Sequence, residues 1–282
     1  MTTDTKIRIR GLTKRYGDTV AVDGIDLDVV AGEIFALLGP NGAGKTTVIE
    51  IMEGFRRADS GAVSVLGVNP YQGGPRWRAR IGIVLQEENG LATLSVREVL
   101  RHFATYYPNP RDVDELIESV GLADKARARV SQLSGGQRRR MDVALGLVGR
   151  PELLFLDEPT TGFDPEARRQ FWEVIQGLRA SGTTILLTTH YLDEAEHLAD
   201  RVGVIRAGRM VEVNTPDQLG GRQQRPAVVR WQEDGAVREM RTHAPTEAVD
   251  ELSRRFGGEV PGLAVFRPSL EDIYLEMIGH LS

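Results

Sequence analysis

The chain of 282 residues contains no cysteine, which excludes disulfides, thiolate metal centres and thiol nucleophiles. That suits a reducing compartment. No run approaches the about eighteen consecutive apolar residues of a membrane-spanning helix, and the polar opening Met1-Thr-Thr-Asp-Thr-Lys6 lacks the apolar core of a signal peptide. A cytoplasmic chain is expected, and any membrane role would need a partner subunit. The net charge of -5 and a pI near 5.7 give no global basic field, so bulk nucleic-acid binding is not expected beyond a local patch. Lysine is also scarce, with only Lys6, Lys14, Lys45 and Lys125, and arginine supplies nearly all other positive charge.

One of those four lysines stands in the stretch around which the chain is organised, Gly39-Pro40-Asn41-Gly42-Ala43-Gly44-Lys45-Thr46-Thr47. Two glycines, a Lys and a Ser/Thr at this spacing, after an apolar run of strand length (34–38) and before a helical pattern, form a phosphate-cradling loop. Gly39, Gly42 and Gly44 permit positive φ and a close approach of backbone N–H groups to an anion. The helix start at Lys45 and Thr46 adds unpaired donors, and a compact ammonium suits the β- and γ-phosphates. A polyphosphate is the expected guest.

Ile7 and Ile9, then Ile25, Leu27 and Val29, alternate with polar residues as in half-buried antiparallel strands, with a turn expected at 14–17. Tyr16 in that turn is equally a rim residue or a base-stacking one. Runs at 62–66 and 81–85 are further short strands, and Gln86 after the second could simply cap a turn. From 95 to 149 the period becomes helical, marking an all-helical insertion that closes with Leu133-Ser134-Gly135-Gly136-Gln137. Ser134 is a good N-cap, and the two glycines make a second anion-binding helix start, or merely a tight turn before a solvated face at Arg138 to Arg140.

Residues 153–156 form an apolar strand ending in Asp157 and Glu158, two carboxylates where a buried parallel strand emerges. Asp164 caps a helix with Pro165 at its first position, and His190 follows a strand at 184–187. Alone, His190 would be a cap or surface residue. The phosphate loop, Gln86, the acidic pair and His190 each follow the carboxyl end of an apolar strand, and in an open parallel sheet those ends share one ligand-binding edge. A hairpin at 202–213 ends the main domain, taken as 1–221 with the helical subdomain at about 88–150. A linker at 220–226 leads to a small α+β unit, 222–282, without catalytic motifs.

In their order these motifs resemble the nucleotide-binding subunits of ATP-binding-cassette (ABC) transporters, from residue 6 to about 215. The aromatic loop corresponds to Tyr16, Walker A to 39–47, the Q-loop to Gln86, the LSGGQ signature to 133–137, Walker B to 153–158, the D-loop to 161–164 and the switch to His190. Phe163 stands where the family usually has Leu. The tail at 268–279 is similar to that of daunorubicin-type multidrug exporters, whose cassette pairs with a separate membrane protein. The resemblance implies an α/β P-loop NTPase: a RecA-like core, an antiparallel β subdomain, an inserted helical subdomain and the small C-terminal domain. It implies ATP and Mg²⁺ as ligands, Lys45 and the loop amides on the phosphates, and Thr46, Gln86 and Asp157 around the ion. Glu158 would be the base, oriented by His190, with Gln86 near the attacking water and Tyr16 on the adenine. Ser134 to Gln137 and Asp164 would serve the ATP of a second copy in a head-to-tail dimer, and a transmembrane permease would be the other partner at the cytoplasmic face. The alternative is a soluble ABC ATPase acting on nucleic acid or ribosomes. Such relatives usually carry two cassettes or a long coiled coil, and this chain has neither.

Overall fold

The computed structural model describes residues 4–84 and 92–279. Strands β1 (Thr5–Tyr16) and β2 (Thr19–Val30) open the chain as an antiparallel hairpin. Its turn falls at Gly17-Asp18 rather than at 14–17, because Lys14, Arg15 and Tyr16 still pair with Val22, Val20 and Thr19. β3 (Ile34–Leu38), α1 (Lys45–Met52), β4 (Ser60–Val65), α2 (Pro75–Arg78) and β5 (Ile81–Val84) follow. The turn expected between β4 and β5 contains a 3-10 turn at Pro70–Gln72 besides α2, and a proline opens each, as a fixed φ favours.

Between β5 and β6 the regular elements among the described residues are helices: α3 (Val96–Ala104), α4 (Val113–Ser119) and α5 (Gly135–Leu147), with short 3-10 turns. Ser95 starts α3 with a capping box, its hydroxyl and the Glu98 carboxylate each accepting from the other's backbone N–H. The core resumes with β6 (Leu153–Asp157), α6 (Pro165–Ala180), β7 (Thr184–Thr188), α7 (Leu192–Leu198), β8 (Arg201–Arg206) and β9 (Arg209–Asn214).

β2, β1 and β4 make one antiparallel sheet, while a six-stranded sheet runs in the order β5-β6-β7-β3-β8-β9. Its strands β5, β6, β7, β3 and β8 are parallel neighbours, so their carboxyl ends share one edge. The inner strands β3 and β7 are buried along their whole length, as continuous apolar runs covered on both faces require. One hydrophobic core joins Ile7, Leu27 and Val29 of the antiparallel sheet to Phe35, Leu37, Phe155 and Met52. Each such large side chain stabilises the fold by about 1.5–3 kcal/mol. The phosphate loop is therefore anchored at the middle of the most buried part of the sheet.

Two compact units divide between Val213 and Asn214, earlier than the boundary expected at 221. The supposed linker is structured: a 3-10 turn covers Leu219–Gln224, Leu219 is fully buried, and Arg222 Nε donates to the Pro268 carbonyl at 2.8 Å. In this second unit β10 (Ala227–Glu233), β11 (Ala236–Thr242), α8 (Pro245–Phe256), β12 (Ala264–Phe266) and α9 (Leu270–Gly279) follow. Its sheet, β11-β10-β12, packs Val229 and Trp231 against Ala248 and Leu252 of α8.

Candidate functional site

Gly39, directly after β3, does not adopt the positive φ its position suggests; a Cβ there would lie 2.5 Å from the Ile205 carbonyl oxygen, so crowding by β8 demands glycine. Gly42 and Gly44 do take left-handed φ, 78° and 104°, and a Cβ on Gly44 would also lie 2.4 Å from the Ala21 oxygen. The loop is wedged between two neighbouring segments, and α1 leaves it without any side-chain cap. Its first-turn N–H groups therefore face the loop with the positive end of the helix dipole.

Lys45 is only 8% exposed, and its Nζ donates to the carbonyl oxygens of Gly39 at 2.6 Å and Pro40 at 3.2 Å. Burial pushes its pKa down, while the nearby carboxylates Glu158 and Asp157 pull it up. A cavity of about 270 Å³ is lined by Ala21, Asn41, Gly42, Ala43, Gly44, Lys45, Thr46, Thr47, Asp157 and Glu158. A larger one, about 650 Å³, lies elsewhere, between Glu53, β5, Phe103, Tyr107 and Asp142, and contains none of these residues.

Thr188 of β7 holds the carboxylate of Asp157 and the backbone of Glu158. Thr188 Oγ1 donates to Asp157 Oδ1 at 2.5 Å, and the Glu158 N–H donates to the Thr188 carbonyl at 3.1 Å and its Oγ1 at 3.0 Å. Glu158 sits at φ 42°, a left-handed conformation that costs a non-glycine residue about 1–2 kcal/mol. Such strain is held where the surroundings over-determine it. Glu158 Oε2 lies 3.2 Å from His190 Nδ1 and accepts from Thr161 Oγ1 at 3.4 Å. The carboxylate, the imidazole and the ammonium thus meet at the sheet edge, a constellation able to bind phosphate and take a proton from water. Thr46 and Asp157 offer oxygen donors of the kind a small hard cation uses alongside phosphate oxygens and water. Among the described residues no three His, Asp or Glu side chains cluster as metal ligands.

Ser134, Gly135, Gly136, Gln137, Asp164 and Tyr16 are not among the residues lining this cavity. Ser134 caps α5, its Oγ accepting from the Gln137 N–H at 3.2 Å while Gln137 Oε1 accepts from the Ser134 N–H at 3.1 Å; neither Gly135 nor Gly136 takes a positive φ. Asp164 Oδ1 caps α6 through the N–H groups of Glu166 at 2.9 Å and Ala167 at 2.8 Å. Tyr16, 41% exposed, has Lys14 Nζ at 5.7 Å and the Arg56 guanidinium at 5.2 Å from its ring centre. Gln86 lies outside the described residues. Sequence reasoning missed Thr188, whose only signal is a polar residue closing an apolar strand, and Arg139, buried within a run of three arginines.

Residues 22–161 match the ABC transporter family. The chain is 39% identical to the daunorubicin resistance ATP-binding protein DrrA3 of Streptomyces coeruleorubidus, covering 98% of this chain and 96% of that protein. It is 44% identical to the Nod factor export ATP-binding protein I of Cupriavidus metallidurans, over 76% of this chain and 72% of the relative. Among solved structures it resembles cbiO1 from Clostridium perfringens, part of the ABC transporter complex cbiONQ. The TM-score is 0.71 at 26% identity, covering 90% of this chain and 96% of that one. The phosphate loop, the acidic pair and the histidine thus lie in a chain whose likeness to DrrA3 runs nearly end to end, and the chain belongs to the ABC transporter family, among its ATP-binding, ATP-hydrolysing subunits.

Proposed function

We propose that two copies of this chain bind Mg-ATP head to tail and hydrolyse it to energise export of a small molecule through a separate membrane permease. The observation carrying this is the meeting of Lys45, Asp157, Glu158 and His190 at one end of the parallel sheet. Lys45 Nζ exchanges its two carbonyl partners for β- and γ-phosphate oxygens, joined by the N–H groups of the loop and of α1. Thr46 and Asp157 would hold Mg²⁺, with Gln86 a further ligand, and the ion would neutralise charge on the phosphates. Glu158 accepts the proton of the attacking water, and His190 fixes the carboxylate from 3.2 Å away. Tyr16 stacks on the adenine.

Ser134, Gly135, Gly136, Gln137 and Asp164 are absent from the lining of their own chain's phosphate cavity, which supports their service to the ATP of a second copy. No helix among the described residues is long and apolar enough to cross a membrane; in this reading the permease is a separate chain and this subunit works on its cytoplasmic face. Export follows the relatives named for daunorubicin resistance and Nod factor export. Action on nucleic acid or ribosomes is not favoured.

The test uses Glu158→Gln. It should bind ATP normally by titration calorimetry, release phosphate about 10²–10⁴-fold more slowly, and run as a dimer by light scattering with Mg-ATP but not ADP. Adding Ser134→Arg should abolish that dimer while each chain still binds ATP. Near-normal hydrolysis in the single variant would remove Glu158 as base, and a normal dimer in the double variant would remove the signature helix from the interface.

A further inference from the structure

Three consecutive arginines, Arg138 to Arg140, follow the capped start of α5, and they have different fates. Arg139 is 8% exposed, its guanidinium surrounded by the charges of Asp142, Asp157 and Glu194. Its Nη2 donates to the Asp157 carbonyl at 2.7 Å and its Nε to the Pro159 carbonyl at 3.1 Å. These two carbonyls bracket Glu158.

The first is the more informative. The Asp157 C=O and the Glu158 N–H belong to one planar peptide unit, whose rotation sets the φ of Glu158. Its N–H end is held by Thr188 at 3.0 and 3.1 Å, and its C=O end by Arg139. Bonds at both ends stop the unit from turning, and the second arginine bond holds the next carbonyl but one. That explains how a glutamate stays at φ 42°, where a free chain would leave it. A guanidinium suits the task because its fork donates in two fixed directions and keeps its proton, whereas a single ammonium has no such geometry.

We propose that Arg139 is a positioning residue for hydrolysis: by clamping the main chain on both sides of Glu158 it aims that carboxylate at the attacking water. The inference rests on the reading of Glu158 as general base. Arg139 is not among the residues lining the phosphate cavity and donates to main-chain carbonyls, so its loss should change turnover and leave nucleotide binding alone.

The test is a four-member cycle of the full chain: the unaltered protein, Arg139→Met, Glu158→Gln and the double variant, assayed for ATP affinity and phosphate release. Arg139→Met keeps the apolar length and removes both donors. It should lower kcat about 10²-fold, as for a catalytic group displaced by about an ångström, with KM and ATP affinity within about twofold. The double variant should be no slower than Glu158→Gln alone, because an arginine acting only through the glutamate has nothing left to position. Arg139→Lys, which retains the charge in the same space, should fold and lose about tenfold in kcat at unchanged KM; it decides the matter if the Met variant does not fold. Inactivity of Glu158→Gln with normal turnover in both Arg139 variants would overturn the positioning role alone. Normal hydrolysis by Glu158→Gln would overturn the base and the positioning role together. A fall in ATP affinity parallel to kcat, or a further loss in the double variant, would show the arginine to be a general structural support.

Discussion

Two helices in this molecule start from glycine-rich turns, and the starts are built in opposite ways. α1 emerges from left-handed Gly42 and Gly44 without a side-chain cap. α5 emerges from Ser134, with ordinary backbone at Gly135 and Gly136 and a reciprocal Ser134–Gln137 capping box. In sequence both read as anion sites; in structure the first directs its donors outward and the second satisfies part of its own. A glycine-rich helix start marks a ligand site most clearly where the glycines adopt conformations other residues avoid and no neighbouring side chain takes the donors.

The comparison breaks most directly at Lys45. Lys45→Ala should weaken ATP binding to a single chain by about 3 kcal/mol, roughly 10²-fold, by titration calorimetry; an equal loss in Ser134→Arg would mean that the two starts serve one ATP within one chain.

The same two helices carry carboxyls, Glu53 buried and Asp142 half-buried, that sharpen the contrast. Glu53, at the end of α1, is pushed up to about 8, first by burial and then by Asp157 and Glu50. Asp142 on α5 is also raised by burial, but Arg139 and Arg138 restrain it to about 6. Because the folded state keeps a proton on Glu53 that the unfolded chain has released above its ordinary 4.5, stability should fall as pH rises through this window. Between about pH 6 and about pH 8 the loss should be about 2 kcal/mol in urea melts. Glu53→Gln should flatten the slope, whereas Asp142→Asn should change it mainly below about pH 6. The smallest effect belongs to the second cap: Ser134→Ala should cost about 1 kcal/mol of stability and leave single-chain ATP affinity unchanged.

The phosphate loop and the shared strand edge were legible because spacing and apolar runs report backbone geometry directly. The burial of Met141 and Val148 in and after α5 was legible from helical spacing, but that of Arg139 was not, because its charge and its two arginine neighbours made it read as part of a solvated face. Thr188 was hidden by brevity, as one hydroxyl at a strand end has no pattern. The 220–226 segment was misread because paired glycines look like a linker, while Leu219 and the Arg222 contact to Pro268 that fold it become visible only in three dimensions. Tyr16 was found but placed in a turn, since irregular pairing with β2 obscures where β1 stops.

The crowding at Gly39 and Gly44, with carbonyl oxygens about 2.5 Å from where a methyl would sit, bears on how descendants of this sequence would decay. Those glycines are required for the chain to close upon itself, whether or not nucleotide ever arrives. Lys45 holds the loop backbone only through side-chain hydrogen bonds to the Gly39 and Pro40 carbonyls, and Glu158 adds strain to it. A lineage released from selection for turnover would keep the glycines and shed the lysine and glutamate first. In degenerate copies, the glycines therefore testify to shape, and positions 45 and 158 to work.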